Sequence, residues 1–339
     1  MKQYIREQAD ILSHILEHSD LDVLSSIKNK HQITIAASGT SKNAALVVKA
    51  ALAKANIQMN VETPFQLQHC SRLLETSDLV IAISHTGKSK GTLDCANDHG
   101  ITTIGITGYM DSPLTQTCDY NIDIGCGDEP IGPKTKGYMA TCLTLFLVLF
   151  QLLKNNHDFT YQKNDFMKEW LQEIKLFNQT IEATENFLMN HQEWAKASCV
   201  SVIGYGIQFG VACEGNLKLL ETMQIPAMCY ELEEFMHGAH RTITENSYLI
   251  FLHVNGEGYD LMSQLIDFAH QQNAHHIVIE DNQKVKADLY VPYLSKTKAV
   301  FTTSLILQVM ASYLPEYKGI NPSDPLFKDF ATTVGTRVI

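Results

Sequence analysis

The sequence is short of positive charge, of closely paired cysteines and of long apolar runs. Its 339 residues hold 26 Lys and Arg against 37 Asp and Glu, a formal net charge of −11. That balance argues against a general binder of nucleic acid or of an anionic membrane, either of which needs a basic face. A small molecule is therefore the expected partner, with no nucleic acid and no membrane. Any anion the chain binds has to be held by a local nest of donors. The eight cysteines (Cys70, Cys95, Cys118, Cys126, Cys142, Cys199, Cys213 and Cys229) include no C-x-x-C pair. A chain of this length does not need disulfide staples, so buried thiols in a reducing, cytoplasmic setting are expected. The N-terminus, Met1-Lys2-Gln3-Tyr4-Ile5-Arg6-Glu7, lacks the apolar core of a signal peptide. The longest apolar stretch, Ala140 to Leu153, falls short of the ~20 residues of a bilayer span and carries Gln151, so it reads as a buried helix. No G-x-x-x-x-G-K-[ST] occurs, which disfavours nucleotide hydrolysis.

What is present is core material. Hydrophobic residues make up 45% and charged residues 19%, ample for packing and unlike a disordered chain. The length suggests two domains. Tyr4 to about Lys28 has helical spacing. Three runs rich in Ile and Val then follow: Ile33–Ala37, Leu79–Ile83 and Thr102–Thr107. The first breaks at Ser38-Gly39-Thr40-Ser41 and leads into a helical pattern from Asn43 to about Ala55. The second breaks at Ser84-His85-Thr86-Gly87-Lys88-Ser89 and leads into a helix near Thr92 to His99. Strands alternating with helices predict an α/β fold with a parallel sheet covered on both faces.

The same order recurs. Val200–Ile203 breaks at Gly204-Tyr205-Gly206 before a helix through Leu220, Tyr248–Leu252 breaks at Asn255-Gly256-Glu257-Gly258 before a helix through His270, and His276–Ile279 is the third run. Matching elements lie about half a chain apart, the mark of an internal duplication. The expected organisation is an N-terminal helix plus a first domain over 1–160, a linking helix over 161–192, a second domain over 193–316, and an extended tail over 317–339.

Chemistry is expected beyond the carboxyl ends of the strands, where ligands of parallel sheets bind. Hydroxyls and backbone N–H groups at two helix starts suit an anion such as phosphate. Each Ser or Thr alone would also serve as an ordinary N-cap, but two such loops in one half favour the anion. Gly204-Tyr205-Gly206 with Gly210 is one residue longer than the dinucleotide fingerprint, a weak signal for NAD(P).

In this order, strand–Ser38-Gly39-Thr40-Ser41–helix and strand–Ser84-x-Thr86-Gly87-x-Ser89–helix resemble the phosphate loops of the sugar isomerase (SIS) domain family. The duplication matches its two-domain members, which include the isomerase domain of glucosamine-6-phosphate synthase and the deglycases of fructoselysine-type sugar-amine 6-phosphates. The resemblance runs from Ile33 to about Val338. It implies two flavodoxin-like domains, with Ser38, Gly39, Thr40, Ser41, Ser84, His85, Thr86 and Ser89 around a sugar phosphate.

Cys213-Glu214-Gly215-Asn216-Leu217-Lys218-Leu219-Leu220-Glu221 resembles the family's E-G-x-L-K-L-x-E helix, whose last glutamate moves a proton between C1 and C2. The role falls on Glu221, with Lys218 beside the substrate. By spacing alone, Glu221 reads as a solvated carboxylate paired with Lys218 three residues back. Glu234-Phe235-Met236-His237-Gly238 resembles the E-x-x-H-G-P motif, whose histidine exchanges a proton with the ring oxygen. Histidine titrates in the right range for that task, and Ala239 stands in place of the proline. His237 and His240 have no third ligand pattern, so no metal and no cofactor are expected. In related synthases this histidine reaches into the partner subunit's site, which implies a homodimer with a shared active site. Ile131-Gly132-Pro133-Lys134-Thr135-Lys136 matches the synthase loop that closes on the sugar. Gly132 and Lys134 would then face substrate, although Lys134 and Lys136 also read as surface charges.

Two departures narrow the reaction. Lys2 follows Met1, where the synthase has a nucleophilic cysteine, so ammonia from glutamine is not expected. Isomerase members carry a tail lysine that forms an imine with the keto sugar, and here Arg337 stands near that place, a group that stays protonated. A substrate that already bears its amine needs no such lysine. The expected activity is therefore deglycation or deamination of a sugar-amine 6-phosphate by Glu/His acid–base chemistry. Alternatives are an aldose–ketose isomerase or an isomerising aminotransferase without its glutaminase domain. A non-catalytic sugar-phosphate sensor is a further alternative, disfavoured because the N-terminal helix is too short for a DNA-binding domain.

Overall fold

Two parallel sheets of five strands organise the chain, described here from a computed structural model covering residues 1–97 and 100–338. The strands are β1 (Gln32–Ala36), β2 (Gln58–Glu62), β3 (Leu79–Ile83), β4 (Thr102–Thr107), β5 (Tyr120–Asp123), β6 (Val200–Gly204), β7 (Ala227–Glu231), β8 (Tyr248–His253), β9 (His275–Glu280) and β10 (Leu289–Tyr290). The first sheet runs β2-β1-β3-β4-β5 and the second β7-β6-β8-β9-β10, the same order twice. In each, the chain reverses its direction of travel between the first and third strands, which leaves a crevice at their carboxyl ends. Helices cover both faces, which explains why β3 and β6 are buried along their whole length.

The six strands expected from apolar runs are all present. The four others, β2, β5, β7 and β10, lie at the sheet edges, where only one neighbour shields them. Gln58-Met59-Asn60-Val61-Glu62 alternates buried with half-exposed side chains, and β10 has two residues, so neither produces a continuous apolar run.

By contacts the chain divides into two compact units. One holds the first sheet, from Asp10–Asp165 and Pro325–Ile339; the other holds the second, from Met1–Ala9 and Phe166–Asp324. The expected first helix is two helices, Lys2–Arg6 and Gln8–His18. The shorter one belongs with the second sheet's unit, where Lys2 pairs with Glu316 at 2.5 Å and Arg6 with Glu185 at 2.5 Å. The linking helix runs Lys163–Asn190.

The helix expected near Thr92 to His99 is Lys90–Ala96, and Asp98 and His99 lie outside the described residues. The tail expected to be extended instead forms a short helix, Phe330–Val334, which stops at Gly335 with φ 71°; Ile339 is outside the described residues. The apolar stretch from Ala140 extends into a 20-residue helix, Lys136–Asn155, longer than its apolar run suggested. By length and composition it matches a membrane span, yet 94% of its most apolar window is buried inside the protein, against the helix Thr40–Ala51. It is a core helix of its unit.

The duplication extends to single dihedrals. Gly39 opens the helix after β1 with φ 55° and ψ −133°, and Gly206 opens the helix Ile207–Met223 after β6 with φ 54° and ψ −128°. A side chain is strongly disfavoured at that backbone conformation, so both turns require glycine.

Candidate functional site

In the first unit, the carboxyl ends of β1 and β3 open on a cavity of about 470 Å³. Ser38 from the β1 loop, Ser89 and Thr92 from the β3 loop and its helix, and Arg337 from the tail line it together, with Lys90 and Asp94 adding charge of both signs. Ser84, buried just behind, donates its hydroxyl to Ser89 Oγ at 3.0 Å. The Ser89 hydroxyl accepts in that bond and can itself donate. Backbone bonds from Lys90 N to Thr336 O (3.2 Å) and Val338 N to Lys88 O (3.0 Å) hold the tail across the loop, with Ser89 and Arg337 bridged antiparallel. A guanidinium and a serine hydroxyl are thus brought to one cavity, donors of the kind an anion accepts from.

Tight packing shapes the β3 loop. Gly87 has φ 63°, and a Cβ there would lie 2.0 Å from Ser112 Oγ, so only glycine fits. His85 does not line the cavity. Burial, helped by Lys134, lowers its pKa to about 4, and its Nε2 has no partner. It is a neutral imidazole packed 6.1 Å from the Tyr109 ring, edge to face. Of the remaining predicted residues, Gly39, Thr40 and Ser41 start the helix after β1, and Thr86 Oγ1 accepts from Lys88 N at 3.4 Å within the loop.

The segment carrying Gly132 and Lys134 is built around Glu129, a fully buried carboxylate. Glu129 Oε1 accepts from Thr135 N and Thr135 Oγ1, both at 2.7 Å, and Oε2 from Gly137 N at 3.0 Å. The Lys134 ammonium donates to the Glu129 carbonyl, while Gly132 is exposed. Lys134 therefore secures its own loop and does not line the cavity.

The remaining candidates belong to the second unit. Lys218 is buried on the helix Ile207–Met223, 2.6 Å from Glu221 and 3.4 Å from buried Glu214. Burial opposes its charge, but the Glu214 and Glu221 carboxylates outweigh that and hold the ammonium above its ordinary range. Glu221 keeps about a third of its side chain exposed, so one carboxylate is fixed by a buried cation yet open to a reactant. His237 is exposed at the end of the short helix Leu232–Met236, whose start is capped by Glu231 accepting from Glu233 N (2.7 Å) and Glu234 N (3.3 Å). Among the described residues no group of three or more His, Cys, Asp or Glu could hold a metal ion.

Sequence reasoning passed over Phe65 and Thr63, which also line the cavity. They follow β2, the unrecognised edge strand, and Pro64 at the first helical position was the available signal. It also passed over Glu129 and Glu214, carboxylates whose burial only tertiary contacts reveal.

Comparison with known proteins matches the SIS domain model twice, over residues 26–152 and 194–314. The chain belongs to the SIS-domain family. An isomerizing glutamine–fructose-6-phosphate aminotransferase of Sulfolobus acidocaldarius is 23% identical over 334 residues, covering 97% of this chain and 54% of that protein. The chain thus spans about half the length of the curated relatives it matches. Among solved structures, the C-terminal domain of the glucosamine-fructose-6-phosphate aminotransferase from Francisella tularensis has a TM-score of 0.85 at 20% identity, covering 95% of this chain and 97% of that one. Glucosamine-6-phosphate deaminase from Thermotoga maritima has a TM-score of 0.77 at 18% identity, covering 96% and 97%. At these identities the structural likeness establishes the shared fold of two duplicated α/β domains.

Proposed function

We propose that this SIS-domain chain is an enzyme that removes the amine from a sugar-amine 6-phosphate, a ketoamine of the fructoselysine type. The observation that carries the phosphosugar reading is the cavity where Ser38, Ser89 and Arg337 meet. The phosphate is held there by hydroxyl and guanidinium donors, each bond to the dianion worth about 1.5–3 kcal/mol. Related proteins named for fructose-6-phosphate and glucosamine-6-phosphate chemistry agree with that substrate class.

Glu221 supplies the acid–base chemistry. It takes a proton from C1 of the ketoamine and returns one to C2, while the amine N–H proton passes to the C2 oxygen, so that the C2 ketone becomes a hydroxyl-bearing carbon and C1 becomes an imine carbon. Water adds at C1, the amine leaves, and an aldose 6-phosphate remains; water is the only co-reactant. Lys218 holds Glu221 in place through that exchange. His237 opens the sugar ring by exchanging a proton with the ring oxygen. Its exposure suits a group offered to a second copy of the chain, so the working unit is a homodimer with a shared site. A reducing compartment, the cytoplasm, agrees with eight cysteines outside any disulfide.

Arg337 favours deglycation over isomerisation, because a guanidinium forms no imine with a keto sugar. One observation favours the other reading: Lys90 places a primary amine on the cavity wall. Product analysis on fructoselysine 6-phosphate, glucoselysine 6-phosphate, and fructose 6-phosphate with ammonia separates the two. Free lysine with glucose 6-phosphate is the expected result. Glucosamine 6-phosphate or glucose 6-phosphate formed from fructose 6-phosphate, with Lys90 trapped by borohydride, would replace the deglycase by an isomerase. Binding of phosphosugars without any turnover would make the protein a sensor.

A further inference from the structure

Cys213 and Cys229 face each other across the second unit's helix–strand interface, and the proposed chemistry uses neither. Cys213 lies on the helix Ile207–Met223 and Cys229 on β7. Their sulfurs are 3.4 Å apart, with Cys229 donating to Cys213, and both residues are half-buried. Both are partly exposed, whereas Cys95, Cys118, Cys126 and Cys142 are buried. The chemistry also separates them. Burial raises the thiols of Cys118 and Cys126 to about 12. At Cys229 the hydrogen bond shared with Cys213 outweighs burial and lowers the thiol. The thiolate is the nucleophile, so Cys229 is the sulfur that reacts first.

We infer that Cys213 and Cys229 form a peroxide-reactive dithiol site that closes to an intramolecular disulfide. The Cys229 thiolate attacks one oxygen of hydrogen peroxide, breaking the O–O bond and forming a sulfenic acid, and the departing hydroxide takes up the proton lost by Cys229 to leave as water. The Cys213 sulfur then attacks the sulfenic sulfur and displaces its hydroxyl, which leaves as a second water with the Cys213 proton. Two thiols and one peroxide become one disulfide and two waters; the sulfurs lose two electrons and the peroxide gains them. The sulfurs must approach from 3.4 Å to about 2.05 Å. The bond ties β7 to the helix that bears Lys218 and Glu221, and β7 ends at Glu231, the cap of the helix leading to His237. This inference does not depend on the reaction proposed above.

The test uses the full chain treated with stoichiometric hydrogen peroxide, quenched with N-ethylmaleimide and mapped by mass spectrometry. The expected result is a Cys213–Cys229 crosslink forming about tenfold faster than oxidation of exposed Cys70, and reversing with dithiothreitol. In Cys213→Ser, Cys229 is expected to accumulate as a sulfenic acid that dimedone captures. The inference is overturned if both cysteines remain alkylated as in the untreated protein, if Cys70 reacts first, or if the crosslink joins two chains. It is equally overturned if Cys213→Ser leaves Cys229 unlabelled by dimedone while circular dichroism shows the variant folded.

Discussion

Ser89 and Glu221 illustrate how a neighbour decides what a polar side chain is free to do. Ser84 donates to Ser89 Oγ, so the Ser89 hydroxyl can itself donate to a ligand oxygen. Ser89→Ala is expected to weaken binding of glucose 6-phosphate about tenfold to a hundredfold by calorimetry, the equivalent of one bond to a charged group. Ser41, nearly buried and off the cavity wall, is expected to cost less when changed to alanine. A larger loss from Ser41 than from Ser89 would move the phosphate to the β1 loop. Glu221→Gln should abolish turnover while binding persists, because Glu214 remains to neutralise buried Lys218 and the helix keeps its counter-ion. Loss of binding in a folded Glu221→Gln protein would reassign the residue to structure. Gly87→Ala drives a Cβ into Ser112 at a positive φ. Its strain, about 1–3 kcal/mol, is expected as a lower urea midpoint together with lost phosphosugar affinity.

At the scale of elements, the tail is held to the β3 loop by a few backbone bonds, while Leu326, Phe327, Phe330 and Val334 stay largely exposed. Segments with little buried apolar surface open at low cost. The Val338 and Lys90 amides, each bonded across the tail–loop contact, are expected to exchange hydrogen faster than the Val80 and Ile81 amides of β3, and to slow when glucose 6-phosphate binds. Exchange at Val338 and Lys90 that ignores the ligand would detach the tail from the site. The same scale shows what the sequence made legible. The six central strands are legible because burial on both faces demands continuous Ile and Val, as in Leu79–Ile83. The edge strands are not, and with β2 went Phe65 and Thr63 on the cavity wall. The Ser38 and Ser89 loops could be read because hydroxyls and glycines must follow strands in order. That Lys134 bonds the Glu129 carbonyl, and that His85 is buried off the cavity wall, are tertiary facts that no local pattern signals.

At the scale of the molecule, one topology is used twice with different buried ionisable groups, and two of them, His85 and Glu173, contribute with opposite dependence on pH. In the first unit burial lowers His85 from 6.5 to about 4, so the fold favours the neutral ring. Its contribution is complete above pH 6.5 and is lost as pH falls from 6.5 towards 4. In the second unit Glu173 is fully buried, and burial raises its carboxyl from 4.5 to about 7 despite bonds from Thr297 Oγ1 (2.9 Å) and Thr302 N (2.8 Å). That fold favours the protonated acid, so its contribution is complete below pH 4.5 and is lost as pH rises from 4.5 to 7. Each effect is at most about 3 kcal/mol. Both tryptophans, Trp170 and Trp194, belong to the second unit, so their fluorescence follows that unit's unfolding. Glutamine at 173 keeps the protonated acid's pattern, an acceptor for Thr302 N and a donor towards Thr297 Oγ1. Glu173→Gln is therefore expected to gain stability relative to the parent as pH rises from 4.5 to 7 in urea titrations read by tryptophan. His85→Gln, read by hydrogen exchange at Val80 and Ile81, is expected to gain stability relative to the parent as pH falls from 6.5 to 4. Because each comparison is a difference between proteins alike in every other titrating group, other carboxylates cancel. A pH-independent difference at Glu173 would mean that its hydroxyl and amide donors, not burial, set the charge of that side chain.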